Sequence, residues 1–284
     1  MADILKGAPV AAAITEDLAA RAANLRAREI EPCLAILRVG AQDSDLVYER
    51  NILKRCEKVG IRVLPFVLPE DCAQAALMEE IEKVNTDSRI HGCLLFRPLP
   101  AHLDGQAAGE ALAPCKDVDS MTSSSLLTVF TGRGEGYAPC TAQSCLEILE
   151  YYGIDPSGKR AAVIGRSLVI GKPVSMMLQA ANATVTMCHT RTKELAAKCA
   201  AADILVVAVG RARTVGADAV APGQIVIDVG INWDEEAQKL CGDVDFDAAE
   251  PVVAAITPVP GGVGSVTTAI LAKHVVEAAE RTLA

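Results

Sequence analysis

Aromatic side chains are scarce in this chain. One Trp, four Tyr and four Phe make up 3% of 284 residues. That argues against the aromatic platforms on which single-stranded nucleic acids stack, and it leaves the core to Ala, Val, Ile and Leu. Surplus positive charge is missing too. A net charge of −9 disfavours nucleic acid and anionic membrane surfaces as partners, while small anions can still bind at local donor sites. No apolar run approaches the roughly 18 residues a membrane-spanning helix needs. The N-terminal Met-Ala-Asp-Ile-Leu-Lys-Gly lacks the apolar segment of a secretory leader, so a cytoplasmic protein is expected. Only four His are present, and the ten Cys include no C-x-x-C pair. Neither a metal site nor a disulfide scaffold is therefore expected; the thiols read as reduced and mostly buried.

What is present is an apolar fraction of 51%, arranged in alternating strand and helix patterns. An Ala-rich amphipathic stretch covers about 9–28. Short apolar runs at 33–39, 62–67 and 92–96 read as strands, with helical periods at 44–59 and 73–84 between them. That order implies parallel pairing through right-handed crossovers. Periodicity fades between 114 and 139, where Ser, Thr and Gly cluster, and the domain junction is placed there. A helix at 142–152 opens a second alternating set. Its strands are expected at 160–164, 184–187, 204–208 and 224–228, and its helices at 172–180 and 193–201. A last helical pattern, 266–283, follows the completed second sheet. The fold class is α/β with two domains, 1–138 and 139–265, and the final helix (266–284) returning to the first.

The second set carries a candidate dinucleotide site. Strand 160–164 runs into Gly165-Arg166-Ser167-Leu-Val-Ile-Gly171-Lys-Pro173, a strand, a glycine turn and a helix with Pro in its first turn. Glycines admit a phosphate close to the backbone, and the helix N-terminus offers unpaired N–H groups. The spacing G-x-S-x-x-x-G differs from G-x-G-x-x-G. At the end of the next strand Thr190 is flanked by Arg191, with Arg166 on the glycine turn and no acidic residue adjoining Thr190. That composition suits the 2′-phosphate of NADP better than the bare ribose of NAD, though NAD stays possible. Gly210 and Ile231, beyond the next two strand ends, are further candidates to line the cofactor. Asp228 is either part of that lining or a turn-capping carboxylate.

Thr257-Pro-Val-Pro-Gly-Gly-Val-Gly264 is a rigid turn with glycine-permitted angles. It also resembles a signature of the methylenetetrahydrofolate dehydrogenase/methenyltetrahydrofolate cyclohydrolase family. Other segments match in the family's order: Arg97-Pro-Leu-Pro100, Lys116-Asp-Val-Asp119, Pro139-Cys-Thr141, the Gly165 loop, Asp228-Val-Gly-Ile-Asn232 and Gly242-Asp-Val244. The resemblance covers essentially the whole chain. It implies an N-terminal folate-site domain, a Rossmann NAD(P)-binding domain, an active-site cleft between them and a homodimer. The implied reaction is NADP-linked oxidation of 5,10-methylenetetrahydrofolate, followed by hydrolysis of the methenyl cation to 10-formyltetrahydrofolate. Tyr48 and Asp119 match catalytic positions. Tyr48, Pro98, Leu99, Asp119, Pro260, Gly261 and Gly262 are the implied substrate contacts.

The chain departs from the family where the hydrolysis is carried out. The family's helical Tyr-x-x-x-Lys begins here at Tyr48, but the Lys position is Ile52. Lys54 is no substitute, because it lies about 240° around the helix from Tyr48, against about 40° for Ile52. The family's Val-Gln-Leu-Pro-Leu-Pro is here Leu95-Phe96-Arg97-Pro98-Leu99-Pro100, so Phe96 replaces the Gln that partners the Lys. Ser120 replaces a Gly. Losing Lys and Gln together leaves an apolar patch rather than a half-satisfied polar pair, as in a repurposed site. Hydride transfer needs mainly alignment; hydrolysis needs a proton to move. Retained dehydrogenase and weak or absent cyclohydrolase are therefore expected. The alternatives are a non-catalytic folate/dinucleotide-binding paralogue, a dehydrogenase of another substrate, or a bifunctional enzyme using other groups.

Overall fold

The computed structural model describes residues 2–283. In chain order its first elements are β1 (Asp3–Ile4), α1 (Gly7–Arg26), β2 (Cys33–Val39), α2 (Asp43–Val59), β3 (Arg62–Leu68), α3 (Gln74–Thr86) and β4 (Gly92–Leu95). There follow α4 (Gly105–Glu110), α5 (Ser123–Thr131), α6 (Cys140–Tyr151), β5 (Arg160–Ile164), α7 (Gly171–Ala180), β6 (Thr184–Cys188) and α8 (Leu195–Ala200). The last are β7 (Ile204–Val207), β8 (Ile225–Asp228), β9 (Asn232–Asp234), β10 (Lys239–Cys241), α9 (Phe246–Ala249), β11 (Ala255–Ile256) and α10 (Thr267–Arg281). The chain divides into two compact units, 12–140 with 268–284, and 1–11 with 141–267.

In the unit of residues 12–140 and 268–284, three parallel strands lie in the order β3-β2-β4. The central strand β2 is buried at every position, which is why its sequence is apolar throughout except for Arg38. Arg38 is tolerated because its Nε donates to Glu49 on α2 at 2.9 Å, pairing a charge that would otherwise be buried alone. Helix α2 ends where Gly60 takes φ 83° and its N–H returns to the Cys56 carbonyl, a left-handed cap that glycine adopts at little cost. The final helix α10 belongs to this unit, and His274 on it meets the Val118 carbonyl at 2.8 Å. Helix α5 arises where the sequence shows no period. Thr122 caps it by accepting from the Ser125 N–H, and Gly132 ends it at φ 68°. Its Leu127 and Phe130 point to solvent, so the helix carries no buried apolar stripe for a pattern to reveal.

The other unit holds a six-stranded parallel sheet, order β1-β11-β8-β7-β5-β6. Strands β5, β7 and β8 are buried almost throughout. The opening residues belong here and not to the N-terminal domain expected from the sequence. Strand β1 pairs with β11, Asp3 opposite Ala255. Gly7 then lies so close to the 257–264 turn that a Cβ on it would stand 2.1 Å from the Gly262 carbonyl oxygen. A two-residue strand has no periodicity, so only this long-range pairing assigns it. The antiparallel ribbon β9–β10 is likewise too short to be legible in the sequence.

Candidate active site

Tyr48, Phe96, Arg97 and Asp119 come together in the unit of residues 12–140 and 268–284. Tyr48 projects from α2, and its ring meets Phe96, just past β4, edge-on at 5.8 Å between centroids. Edge-to-face packing is a favoured aromatic geometry. Ile52, one turn along α2 from Tyr48, is 1% exposed. Phe96 is buried as well, so the two positions at which the sequence resemblance implies a Lys and a Gln are here buried and apolar. Lys54 is on the exposed part of the helix. Pro98 is exposed, while Leu99 packs against the apolar core beneath β4 and α4.

The segment 116–119 distributes its three charges very differently. Lys116 is buried, and its Nζ donates to the carbonyls of Val84, Asn85 and Asp87 at 2.7–2.9 Å, closing the C-terminal end of α3. Asp117 is fully buried and accepts from the Met121 N–H, the Thr122 N–H and the Thr122 hydroxyl, all at 2.8 Å. Asp119 alone of the three faces the cluster. It accepts from the Cys140 N–H at 3.3 Å and lies 3.9 Å from the Arg97 guanidinium. Burial raises the Asp119 carboxyl above the usual carboxylate range, opposed by the Cys140 hydrogen bonds and Arg97. Burial, and then the negative Asp119, push the Tyr48 phenol upward, so at neutral pH it is an O–H donor. The Cys140 thiol is buried and held neutral in the same way. Ser120 stands at φ 58°, an angle glycine adopts at little cost, and its buried hydroxyl finds no partner among the described residues.

The dinucleotide candidates lie at the carboxyl ends of strands in the other unit. Gly165 has φ 124°, and a Cβ there would come 2.2 Å from the Ala208 carbonyl oxygen. A Cβ on Gly171 would come 2.3 Å from the Gly165 carbonyl oxygen. The turn is thus closed backbone on backbone, and side chains are excluded from it. Ser167 Oγ accepts from the Ile170 N–H at 3.1 Å, bracing the entry to α7. Arg166, Thr190 and Arg191 are exposed. Gly210 turns at φ 67° with open space around it, and Ile231 is 63% exposed. Of the 257–264 turn, Pro260 and Gly261 are exposed whereas Gly262 is buried. Pro260 borders a cleft of about 430 Å³ with Asp228, Arg213 and Lys239.

Two buried aspartates organise these loops, and one was missed in the sequence. Asp243 accepts from the N–H groups of Val209, Gly210 and Arg211 at 2.6–2.9 Å and from the Asn232 amide at 2.9 Å. Asp228 accepts from the N–H groups of Gly230, Asp243 and Val244, so it is the turn-capping carboxylate. Its own N–H donates to Thr257 Oγ1 at 2.8 Å. A Cβ on Gly230 would stand 2.2 Å from Asp243 Oδ1, and one on Gly242 1.8 Å from Asp228 Oδ2. The signal for Asp243 was the Gly242-Asp243-Val244 triplet, whose purpose is visible only with its distant donors.

A parallel sheet with a glycine turn between β5 and α7, exposed basic and hydroxyl residues past β6, and a separate three-stranded unit bearing an aromatic and carboxylate cluster define a two-domain dinucleotide-binding α/β protein. Comparison with known proteins specifies it further. Residues 139–283 match the tetrahydrofolate dehydrogenase/cyclohydrolase NAD(P)-binding domain, and residues 5–119 match the catalytic domain of the same family. The chain belongs to the tetrahydrofolate dehydrogenase/cyclohydrolase family. It is 52% identical over 281 residues to "Bifunctional protein FolD" of Carboxydothermus hydrogenoformans, covering 99% of this chain and 98% of that one. The structure of the bifunctional methylenetetrahydrofolate dehydrogenase/cyclohydrolase FolD from Campylobacter jejuni superposes with TM-score 0.96 at 37% identity, over 99% of this chain and 100% of that one. That of the Trypanosoma brucei dehydrogenase-cyclohydrolase, complexed with NADP and an inhibitor, gives 0.92 at 34% identity, over 99% and 98%. Among the described residues no helix is long and apolar enough to cross a membrane.

Proposed function

We propose that this protein oxidises 5,10-methylenetetrahydrofolate to the 5,10-methenyl cation with NADP, and that it hydrolyses that cation weakly or not at all. The observation that carries the second half is the burial of Ile52 and Phe96 at the positions of the family's Lys and Gln. Neither side chain can accept, donate or orient a proton, which hydrolysis requires. The first half is supported by the family and by what the remaining residues offer. Asp119 accepts the N–H groups of the pterin edge. Tyr48, neutral and half-exposed, flanks the ring and donates its O–H. Phe96 and Ile52 keep water from the reacting carbon.

The dinucleotide residues fit NADP. The Gly165–Gly171 turn packs backbone on backbone with no side chain from either glycine, and α7 presents its N-terminus to the phosphates. Arg166, Thr190 and Arg191 suit a 2′-phosphate. Gly210, Ile231 and the turn at Pro260 and Gly261 line the remaining edge. When bound, NADP accepts the hydride; the chain's part is to orient both reactants and exclude water. The protein works as a cytoplasmic homodimer in one-carbon metabolism.

A second reading is favoured by the relatives named bifunctional: hydrolysis supported by other groups. One experiment decides. The protein is mixed with NADP and methylenetetrahydrofolate, and reduced cofactor and methenyl product are followed by absorbance. Equal accumulation of both, with methenyl decaying only at its uncatalysed rate, is expected. Methenyl consumed faster than that background establishes hydrolysis and refutes the monofunctional reading. No reduced cofactor, with folate bound, identifies a binding protein.

A further inference from the structure

We propose that Arg97 is a positioning residue for the folate site: paired with Asp119, its guanidinium holds that carboxylate charged and aimed at the substrate ring. The proposal rests on the folate reading given above. The guanidinium lies 3.9 Å from Asp119 Oδ2, with side-chain exposures of 39% and 27%. Both groups are thus partly open to a ligand, unlike the neighbouring Asp117, which is spent on backbone donors.

The surroundings of Asp119 show why it needs a cation. Tyr48 on α2 and Cys140 at the start of α6 are both held neutral. Asp117, two residues earlier in the same turn, is an acid whose charge further disfavours ionisation of Asp119. His274 on α10 meets the Val118 carbonyl and lies 3.8 Å from the Cys140 sulfur. Among these groups Arg97 supplies the positive charge, against a burial that favours the protonated acid. A protonated Asp119 would present an O–H to ring N–H groups, donor against donor, and binding would fail.

The test uses the intact protein and compares wild type, Arg97→Leu, Arg97→Gln and Arg97→Lys. An opposite charge at this distance lowers a carboxyl pKa by about 1–3 units. The acid limb of kcat/KM for methylenetetrahydrofolate should therefore move up by about one pH unit in both uncharged variants. On the acid side of that limb the KM for the folate should rise by up to about tenfold, as a unit shift implies, with kcat and the KM for NADP within about twofold. Arg97→Lys should return the limb close to its wild-type position. If wild type turns over but the limb stays put in Arg97→Leu and Arg97→Gln, the pairing is refuted while the folate reading stands. If Arg97→Lys is as impaired as Arg97→Leu, shape and not charge is responsible, and the proposal is again overturned. A wild type that neither reduces NADP nor binds a folate overturns the reading beneath it as well.

Discussion

Asp243 is the side chain whose removal should be felt most widely in the cofactor loops. In Asp243→Ala, three backbone N–H groups and the Asn232 amide lose their acceptor. Hydrogen bonds to a charged acceptor contribute about 1.5–3 kcal/mol each. Four of them set an upper bound well above what will be measured, because residues 209–211 lie at an exposed turn and water can replace part of the loss. A net destabilisation of about 3–5 kcal/mol is expected, the range for breaking a buried charged network. At about 2–4 °C per kcal/mol, the melting temperature should fall by roughly 10 °C. The KM for NADP should rise about tenfold or more, because the Gly210 turn loses its anchor, while the KM for the folate changes little. Asp243→Asn keeps one acceptor oxygen and turns an amide N–H toward backbone donors, so it should lose about half as much. Asp247→Ala, at an exposed position in the neighbouring α9, should stay within about 0.5 kcal/mol. Melting by circular dichroism and steady-state kinetics read both effects. An Asp243→Ala protein that melts with wild type and keeps its KM for NADP would refute the claim that this carboxylate shapes the loop.

Other expectations follow from the same contacts. Burial raises Asp228 from 3.8 to about 6. The folded state therefore keeps a proton that the unfolded chain has released, and this group's contribution to stability falls as pH rises through that window. Denaturation midpoints measured from pH 4 to 7 should show wild type losing ground to Asp228→Asn as pH increases; parallel curves would sink the assignment. Ser120→Gly relieves a left-handed angle and an unpartnered buried hydroxyl. It should stabilise by about 1 kcal/mol after the entropy cost of glycine, and a lower denaturation midpoint would contradict that. Ile52→Lys places an ammonium at a site 1% exposed and should cost about 3–5 kcal/mol alone. With Phe96→Gln added it should cost measurably less than the two single effects summed and should gain methenyl hydrolysis. Strict additivity would show that the two positions do not share a site.

How much was legible varies with how local each feature is. Strands β2, β4, β5 and β7 were readable because a strand buried on both faces must be apolar along its length. The turn at Gly165 was readable because its backbone conformation admits no side chain. Helix α5 was not, since its apolar residues face solvent and its caps are ordinary Ser, Thr and Gly. Strand β1 was not, since two residues hold no period and their partner lies some 250 positions away. The family motif pointed to Asp119, but nothing in Lys116-Asp117-Val118-Asp119 says which charge faces Tyr48 and Arg97. Lys116 is consumed by the end of α3 and Asp117 by the next turn.

The sequence by itself determined the α/β class, the alternation of the main strands and helices, and the glycine turn. Those are properties of composition and spacing, which survive without a fold. Only the tertiary structure decided that Ile52 is buried, that Arg97 reaches Asp119 and that Asp243 ties three backbone donors together. A polar side chain's chemistry is set by the groups that surround it, and those groups arrive from distant parts of the chain.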